Sequence, residues 1–316
     1  MGIIEDFIRI VSEKSEFQKK YLNEWYQNNT VKKELEILLE FYQRQYGYSL
    51  DFLAESYDFI NHMVMEEAYY FAEKGTYRNS SFKQVNEFVY QNEVYMTKYM
   101  CGLTISDYIW SQHIEMLHYF EKYIEKVTGR RYLEIGPGFG QFFLRAIQKK
   151  RFEKYLAVDL SATSVQGCKD FISYCHGRNV AFEKGGIVSA NSGGEYSVLQ
   201  KDFYEFESDE SFDCIVMGEV LEHVEEPLKM MKKIYSLLSK EGTAFITTVI
   251  NSPAFDHIYL FPTIESVLDM ARKAGFNVED YMCAVAGKVS LEKAIKKRRA
   301  ITIAMVVKKI ENGNMT

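Results

Sequence analysis

Hydrophobic positions recur at helical spacing through the first 127 residues. Phe7, Ile10 and Val11 begin one apolar face, and Val31, Leu35, Leu38 and Leu39 make a second. After Gly47, Ser49 is placed to cap a third helix with Leu53, Tyr57, Ile60 and Val64 on one stripe. Glycine and polar residues at 75–81 interrupt the pattern. A further helix then carries Phe82, Val85, Phe88 and Val89 and ends near Cys101-Gly102, where Gly102 offers a hinge. Thr104 with Asp107 has the spacing of a capping box for a last helix, whose inner stripe is Trp110, Ile114, Leu117 and Ile124. No proline occurs before Pro137, as suits uninterrupted helices.

From Arg131 the rhythm changes to strand–helix alternation, the mark of a parallel sheet with helices on both faces. Strands are expected at Tyr132–Ile135, Tyr155–Val158, Cys214–Met217, Ala244–Val249, Val278–Ala284 and Ile301–Val307. Helices are expected near Phe142–Lys149, Ser164–His176, Pro227–Leu238 and Ile264–Ala274, the last closed by Gly275. Between His176 and Lys201 the pattern weakens around Gly185-Gly186 and Gly193-Gly194, which predicts an insertion, a hairpin or a mobile loop. Two domains follow: 1–127, helical, for acceptor binding, a lid or dimerisation, and 128–316, an α/β domain.

Composition narrows the partners. With 47% hydrophobic and 26% charged residues the chain can bury a sizeable core, and no apolar run reaches transmembrane length. A formal charge of −6 argues against general nucleic-acid affinity, so the basic turn Lys296–Arg299 reads as a solvated loop. The start, Met1–Asp6, has no basic segment and carries acid where a myristoylation signal needs Ser or Thr. Five scattered cysteines without C-x-x-C spacing suit a reducing cytoplasm and give no zinc pattern.

Candidate chemistry centres on Tyr132-Leu133-Glu134-Ile135-Gly136-Pro137-Gly138-Phe139-Gly140-Gln141, a short strand running into a glycine-rich turn. Closely spaced glycines let backbone approach a ligand that any Cβ would push away. Such loops serve a dinucleotide or S-adenosylmethionine (SAM). The dinucleotide fingerprint needs a small residue where Gln141 stands. Instead the glycines fall as G-x-G-x-G, with Glu134 two residues before the first, a form that resembles motif I of the class I SAM-dependent methyltransferases. The resemblance extends from Arg131 to Lys309 through Ala157-Val158-Asp159-Leu160, Gln200-Lys201-Asp202-Phe203, the strand and turn Ser211–Val224, and Leu237–Ile246.

What the resemblance implies is a Rossmann-like sheet, mostly parallel with an antiparallel last strand, behind an N-terminal all-α domain. SAM is the implied cofactor and S-adenosyl-L-homocysteine (SAH) its product. Gly136, Gly138 and Gly140 with Glu134 would form the cofactor loop. Asp159 would accept both ribose hydroxyls beside Leu160, and Asp202 with Phe203 would receive the adenine. Glu219 ends the fourth motif strand, under the reacting methyl group. His223 stands one residue from where plant-type O-methyltransferases place a catalytic histidine; the plain alternative is a ring bonded to a backbone carbonyl or to Glu222. His257, in the loop after the next strand, is the second candidate base, with Asp256 beside it. Tyr108, Trp110 and His113 are candidate acceptor contacts, although Trp110 also fits the packing stripe.

Substrate class narrows by absence. Gly218-Glu219-Val220-Leu221 stands where DNA amino-methyltransferases carry [D/N/S]-P-P-[Y/F/W], and no cysteine follows a proline as a cytosine enzyme requires. Glu219 alone does not make a magnesium site of the catechol type, so no metal is expected. What remains is a cytoplasmic small-molecule O- or N-methyltransferase of secondary metabolism, compatible with a homodimer, without a nucleic-acid or membrane partner. The alternatives are a protein or RNA methyltransferase with a helical docking domain, and a non-catalytic SAM-binding subunit.

Overall fold

The computed structural model describes residues 2–85, 93–176, 187–190 and 194–310. The chain forms two compact units. The first comprises residues 1–115, 252–258 and 285–289, and the second residues 116–251, 259–284 and 290–316.

The first unit is built from helices α1 (Ile3–Lys14), α2 (Glu16–Asn28), α3 (Lys32–Tyr46), α4 (Leu50–Lys74), α5 (Phe82–Val85) and α6 (Glu93–Ser106), with the start of α7 (Ser111–Ile124). Phe7, Val11, Leu35, Leu38, Leu39, Leu53 and Tyr57 of the predicted stripes are fully buried, which is why these faces hold together. Ser49 caps α4 as expected, its Oγ accepting from Phe52 N–H. Ser15 does the same for α2, accepting from Gln18 N–H and splitting one expected apolar face between two helices. Gly47 and Gly75 close α3 and α4 in left-handed conformations.

Two expectations fail here. The helix does not end at Cys101-Gly102 but runs through them to Ser106. Thr104 is therefore interior, its hydroxyl donating to Met100 O at 2.6 Å, and it caps nothing; α7 begins only at Ser111, after Trp110. Gly102 is no break. It brings α6 against α4 so closely that a Cβ would lie 2.2 Å from Ser56 O and 3.2 Å from Ile60 Cβ. Of the stripe expected in the interrupted helix, Phe88 and Val89 lie outside the described residues.

The second unit is an eight-stranded sheet of order β3-β4-β2-β1-β5-β6-β8-β7. Its strands are β1 (Arg131–Ile135), β2 (Lys154–Asp159), β3 (Ile187–Ala190), β4 (Gly194–Gln200), β5 (Phe212–Met217), β6 (Leu238–Ile250), β7 (Phe276–Val285) and β8 (Ile301–Lys309). β4, β2, β1, β5 and β6 run parallel, and β8 is antiparallel to β6. Helices α8 (Gln141–Lys149), α9 (Ala162–His176), α10 (Pro227–Leu237), α11 (Ile264–Lys273) and α12 (Leu291–Lys296) complete it. This is the Rossmann-like methyltransferase sheet that the sequence implies.

Between His176 and Lys201, β3 and β4 form an antiparallel pair, in keeping with the hairpin that was one expected form of this segment, and the pair joins the sheet. β4 is a full sheet strand, pairing with β2 from Lys154↔Glu195 to Asp159↔Gln200, and β3 adds an antiparallel edge beside it. Residues 177–186 and 191–193, including Gly185, Gly186 and Gly193, lie outside the described residues. Gly242 falls inside β6, at a register irregularity against β5.

Across the sheet, Tyr132, Tyr155 and Tyr196 are direct neighbours on β1, β2 and β4, with ring centroids 5.7 and 5.4 Å apart. All three are buried, and cross-strand aromatic pairs of this kind hold register. Phe120, Phe142 and Phe245 continue the core, the last two rings meeting edge-on at 5.8 Å.

The contact at Gly102 generates the first prediction. Gly102→Ala should lower stability by about 1–3 kcal/mol, because backbone rather than a flexible side chain must move. Urea unfolding checks this; an unchanged midpoint would show that α6 rides free of α4.

Candidate cofactor and active site

In the second unit, β1, β2, β4 and β5 end together, with Ile135 opposite Val158 and Met217, and Asp159 opposite Gln200. Ligands of open parallel sheets bind beyond such carboxyl ends. The chain leaves β1 through Gly136, Gly138 and Gly140, with φ of 64°, 54° and 81°. Gly136 N–H donates to Val158 O at 2.9 Å, and a Cβ there would meet Val220 Cγ2 at 2.6 Å. A Cβ on Gly140 would lie 2.8 Å from Cys168 Sγ. At Gly138 it would meet nothing within 4 Å, so this glycine leaves space open to a ligand. Gly140 then serves as the N-cap of α8 without a side-chain cap, leaving backbone donors at the helix start.

Two acids flank the loop. Glu134 is buried, and its carboxylate accepts from Tyr132 OH at 2.5 Å and from the Phe143 N–H of α8. Burial pushes its carboxyl up to about 8 against those two hydrogen bonds. Asp159, the last residue of β2, is pushed up to about 6 by burial, opposed by N–H groups of Ser161, Gly138 and Leu160. The bond from Ser161 N measures 2.8 Å. Acid and glycine loop therefore share one hydrogen-bonded corner, beside which Leu160 stands half-exposed.

Asp202 follows β4, with Lys201 N–H donating to Asp159 O at 2.9 Å. Its Oδ1 accepts from Tyr204 N–H at 2.8 Å and starts the short turn Phe203–Glu205. Phe203 is buried, its ring stacked 6.2 Å from Phe206. Glu219, just past β5, is one of four non-glycine residues with positive φ among the described residues, at 52°. Its N–H reaches Thr247 O and Oγ1, and Thr247 Oγ1 donates back to Glu219 Oε1 at 2.7 Å. Such a strained conformation persists only where neighbours enforce it.

The next turn, Leu221–His223, carries Glu222 and His223. Sequence reasoning treated Glu222 only as a neighbour of His223. It is fully buried, accepts from Thr248 Oγ1 at 2.8 Å, and is pushed up to about 8 by burial and by the charge of Glu219. The spacing Glu219-x-x-Glu222-His223 was the available signal.

Within the first unit, His257 is buried and its Nδ1 lies 2.6 Å from Ser252 O. A carbonyl only accepts, so Nδ1 carries a proton in this bond, and in the neutral ring the lone pair is then on Nε2. Asp256 does not orient that ring through this bond; it accepts from Tyr99 OH at 2.6 Å. Tyr108 is buried, its carbonyl taking the Trp25 indole N–H at 2.9 Å. Trp110 and His113 pack ring to ring at 5.1 Å, and His113 Nδ1 lies 3.2 Å from Asp107 Oδ1.

A family model described as a methyltransferase domain matches residues 111–281, more than half of the chain. The chain belongs to the methyltransferase-domain family. It is a class I SAM-dependent methyltransferase. Among solved structures, the N-methyltransferase NodS from Bradyrhizobium japonicum WM9, in complex with SAH, is 13% identical over 73% of this chain and 99% of that one, with a TM-score of 0.49. The cyclopropane synthase MmaA2 from Mycobacterium tuberculosis is 14% identical over 62% and 84%, with a TM-score of 0.47. A SAM-dependent methyltransferase from Clostridium acetobutylicum ATCC 824 is 13% identical over 66% and 97%, with a TM-score of 0.45. No curated protein matches the chain in sequence. The assignment rests on the family model.

The corner combines an open glycine cradle, backbone donors at a helix start and an acid at the end of β2, the chemistry that a ligand with a carboxylate and two ribose hydroxyls requires, and we propose it as the SAM site. The methyltransferase's Asp159 thus stands where ionisation is unfavourable until donors arrive. Its ordinary value of 3.8 rises to about 6 on folding, so the folding penalty is absent below pH 3.8, grows through that window and is complete above pH 6. Asp159→Asn should stabilise the ligand-free protein at pH 7.5 by about 1–3 kcal/mol. The same change should weaken SAH binding by roughly ten- to a hundredfold. Thermal melts with and without SAH check both signs; a variant that loses stability without ligand would overturn the account.

Proposed function

We propose that this methyltransferase acts on an oxygen or nitrogen of a small-molecule acceptor, in a cytoplasmic biosynthetic reaction. The observation that carries the reading is the segment after β5, where the half-buried, acid-bearing stretch Gly218-Glu219-Val220-Leu221 stands in place of the motif of DNA amino-methyltransferases. The chain's charge of −6 supports a partner other than nucleic acid. No helix among the described residues is long and apolar enough to cross a membrane.

SAM supplies an electrophilic methyl group on a sulfonium. The chain's part is then to position and to desolvate. Gly136, Gly138 and Gly140 with the start of α8 would hold the amino-acid end, Asp159 and Leu160 the ribose, and Asp202 with Phe203 the adenine. Glu134 would fix the loop, and Glu219 would stand near the reacting centre. The helical residues 1–127 are proposed to supply acceptor contacts through Tyr108, Trp110 and His113, a lid, or a dimer interface, with 128–316 as the cofactor domain. His223 and His257 are proposed to serve loss of the acceptor's proton, His257 through the lone pair on Nε2.

Incubation with methyl-labelled SAM and a metabolite extract should give a labelled small molecule, and calorimetry should show binding of SAH but not NAD. Label appearing only in protein or RNA would sink the small-molecule reading. His257→Ala should lower turnover on the order of a hundredfold while SAH affinity is kept; full turnover in this variant would remove His257 from the chemistry.

A further inference from the structure

Residues 75–81, in sequence an interruption between helices, grip the loop that carries His257, and both segments belong to the first unit. Gly75 ends α4 in a left-handed conformation, its N–H donating to Phe71 O at 2.8 Å, and turns the chain. Arg78 ties the turn back to α4. Its Nε donates to the buried carboxylate of Glu67 at 2.8 Å, and its guanidinium lies 4.3 Å from the Tyr70 ring centroid. Taking the guanidinium away from a buried acid is costly, so the residues on either side of Arg78 have a fixed base. Both reach the loop. Tyr77 Oη accepts the Ser252 N–H at 3.2 Å, and Asn79 Nδ2 donates to Phe255 O at 2.7 Å. Tyr77 is itself buried, its ring centroid 5.8 Å from that of His257 at an interplanar angle of 59°.

The geometry points to Tyr77 as a positioning residue that fixes the tautomer of His257. Ser252 precedes Pro253, whose ring steers Ser252 away from helical backbone and toward extended conformations. With so little freedom left, a Ser252 whose N–H is held by Tyr77 has its carbonyl direction set as well. That carbonyl takes the Nδ1–H of His257 at 2.6 Å. The partner of one ring nitrogen decides the role of the other, so in the neutral ring Nε2 is the proton acceptor. The Tyr77 ring packs against the imidazole and the Asn79–Phe255 bond steadies the loop, which together limit the rotamers open to His257. Tyr77 does not handle the proton; it keeps the basic nitrogen from carrying one before the acceptor gives up its own. This assignment rests on the base role proposed for His257 and deepens it. A base held in one tautomer is ready at each encounter, whereas a ring free to exchange is ready only for a fraction of them.

The full-length protein is labelled with ¹⁵N in the rings of its six histidines, and the His257 signals are those absent from His257→Gln. At a pH that keeps the ring neutral, the parent should show His257 protonated on Nδ1 alone. Tyr77→Phe keeps the aromatic ring and removes the acceptor oxygen, so signals of the Nε2-protonated form should appear. Its turnover, measured with methyl-labelled SAM and the metabolite extract, should fall roughly tenfold while SAH affinity is kept. Tyr69→Phe, at an exposed residue of α4, should change neither readout. Thermal melts screen folding, and Asn79→Ala, which releases Phe255 O of the same loop, replaces Tyr77→Phe if that variant does not fold. Three results would overturn the positioning role: a parent protonated on Nε2, a folded Tyr77→Phe with the parent's His257 signals, or one that keeps full turnover where His257→Ala loses it. A changed tautomer in Tyr77→Phe together with full turnover in His257→Ala would strike the base role of His257 alone.

Discussion

A single desolvated carboxylate ties the cofactor half of this molecule together. Glu134 sits at the end of β1 with almost no solvent contact, held by the Tyr132 hydroxyl of its own strand and by the Phe143 N–H at the start of α8. Strand and helix are thereby joined across the glycine turn, whose three left-handed residues have little freedom once both ends are fixed. Burying an acid costs several kcal/mol unless hydrogen bonds offset it. Two are supplied, and the carboxyl still rises to about 8. Loop geometry and acid therefore depend on each other: without the turn, Phe143 would not face Glu134, and without Glu134 the start of α8 would lose this polar tie to β1.

The same logic extends sideways. Tyr132 belongs both to this anchor and to the row of tyrosines that crosses β1, β2 and β4. A slip of one residue in any of these strands would turn a large buried ring to the opposite face. Register in turn sets where Ile135, Asp159 and Gln200 end, and so where the loop, the acid closing β2 and the segment with Asp202 meet. The site is thus a consequence of strand alignment as much as of the residues that line it.

Much of this was legible in the sequence because it is encoded locally. The glycine spacing, the acid closing β2 and the Ser49 cap each need only a few consecutive residues to specify a conformation. β4 was legible only as half of a hairpin among other readings, because its two buried residues, Tyr196 and Val198, make a short alternation that adjoins glycine pairs. Thr104 and Asp107 had the right spacing for a cap, but burial of Thr104 and Ile105 extends the helix past them, and packing outweighs a cap worth about 1 kcal/mol. Glu222 was visible as a letter and not as a buried group with one oxygen unserved, since burial belongs to the tertiary structure.

Cys168 packs directly behind Gly140, so this methyltransferase keeps a sulfur within its cofactor loop. An electrophilic methyl group bound at that loop would alkylate an available thiolate. Burial holds the Cys168 thiol well above its ordinary value, and the negative charges of Glu134 and Asp159 push it further. The thiolate is the nucleophile and the thiol is not. The acids beside the loop therefore also help burial to keep this sulfur in its unreactive thiol form.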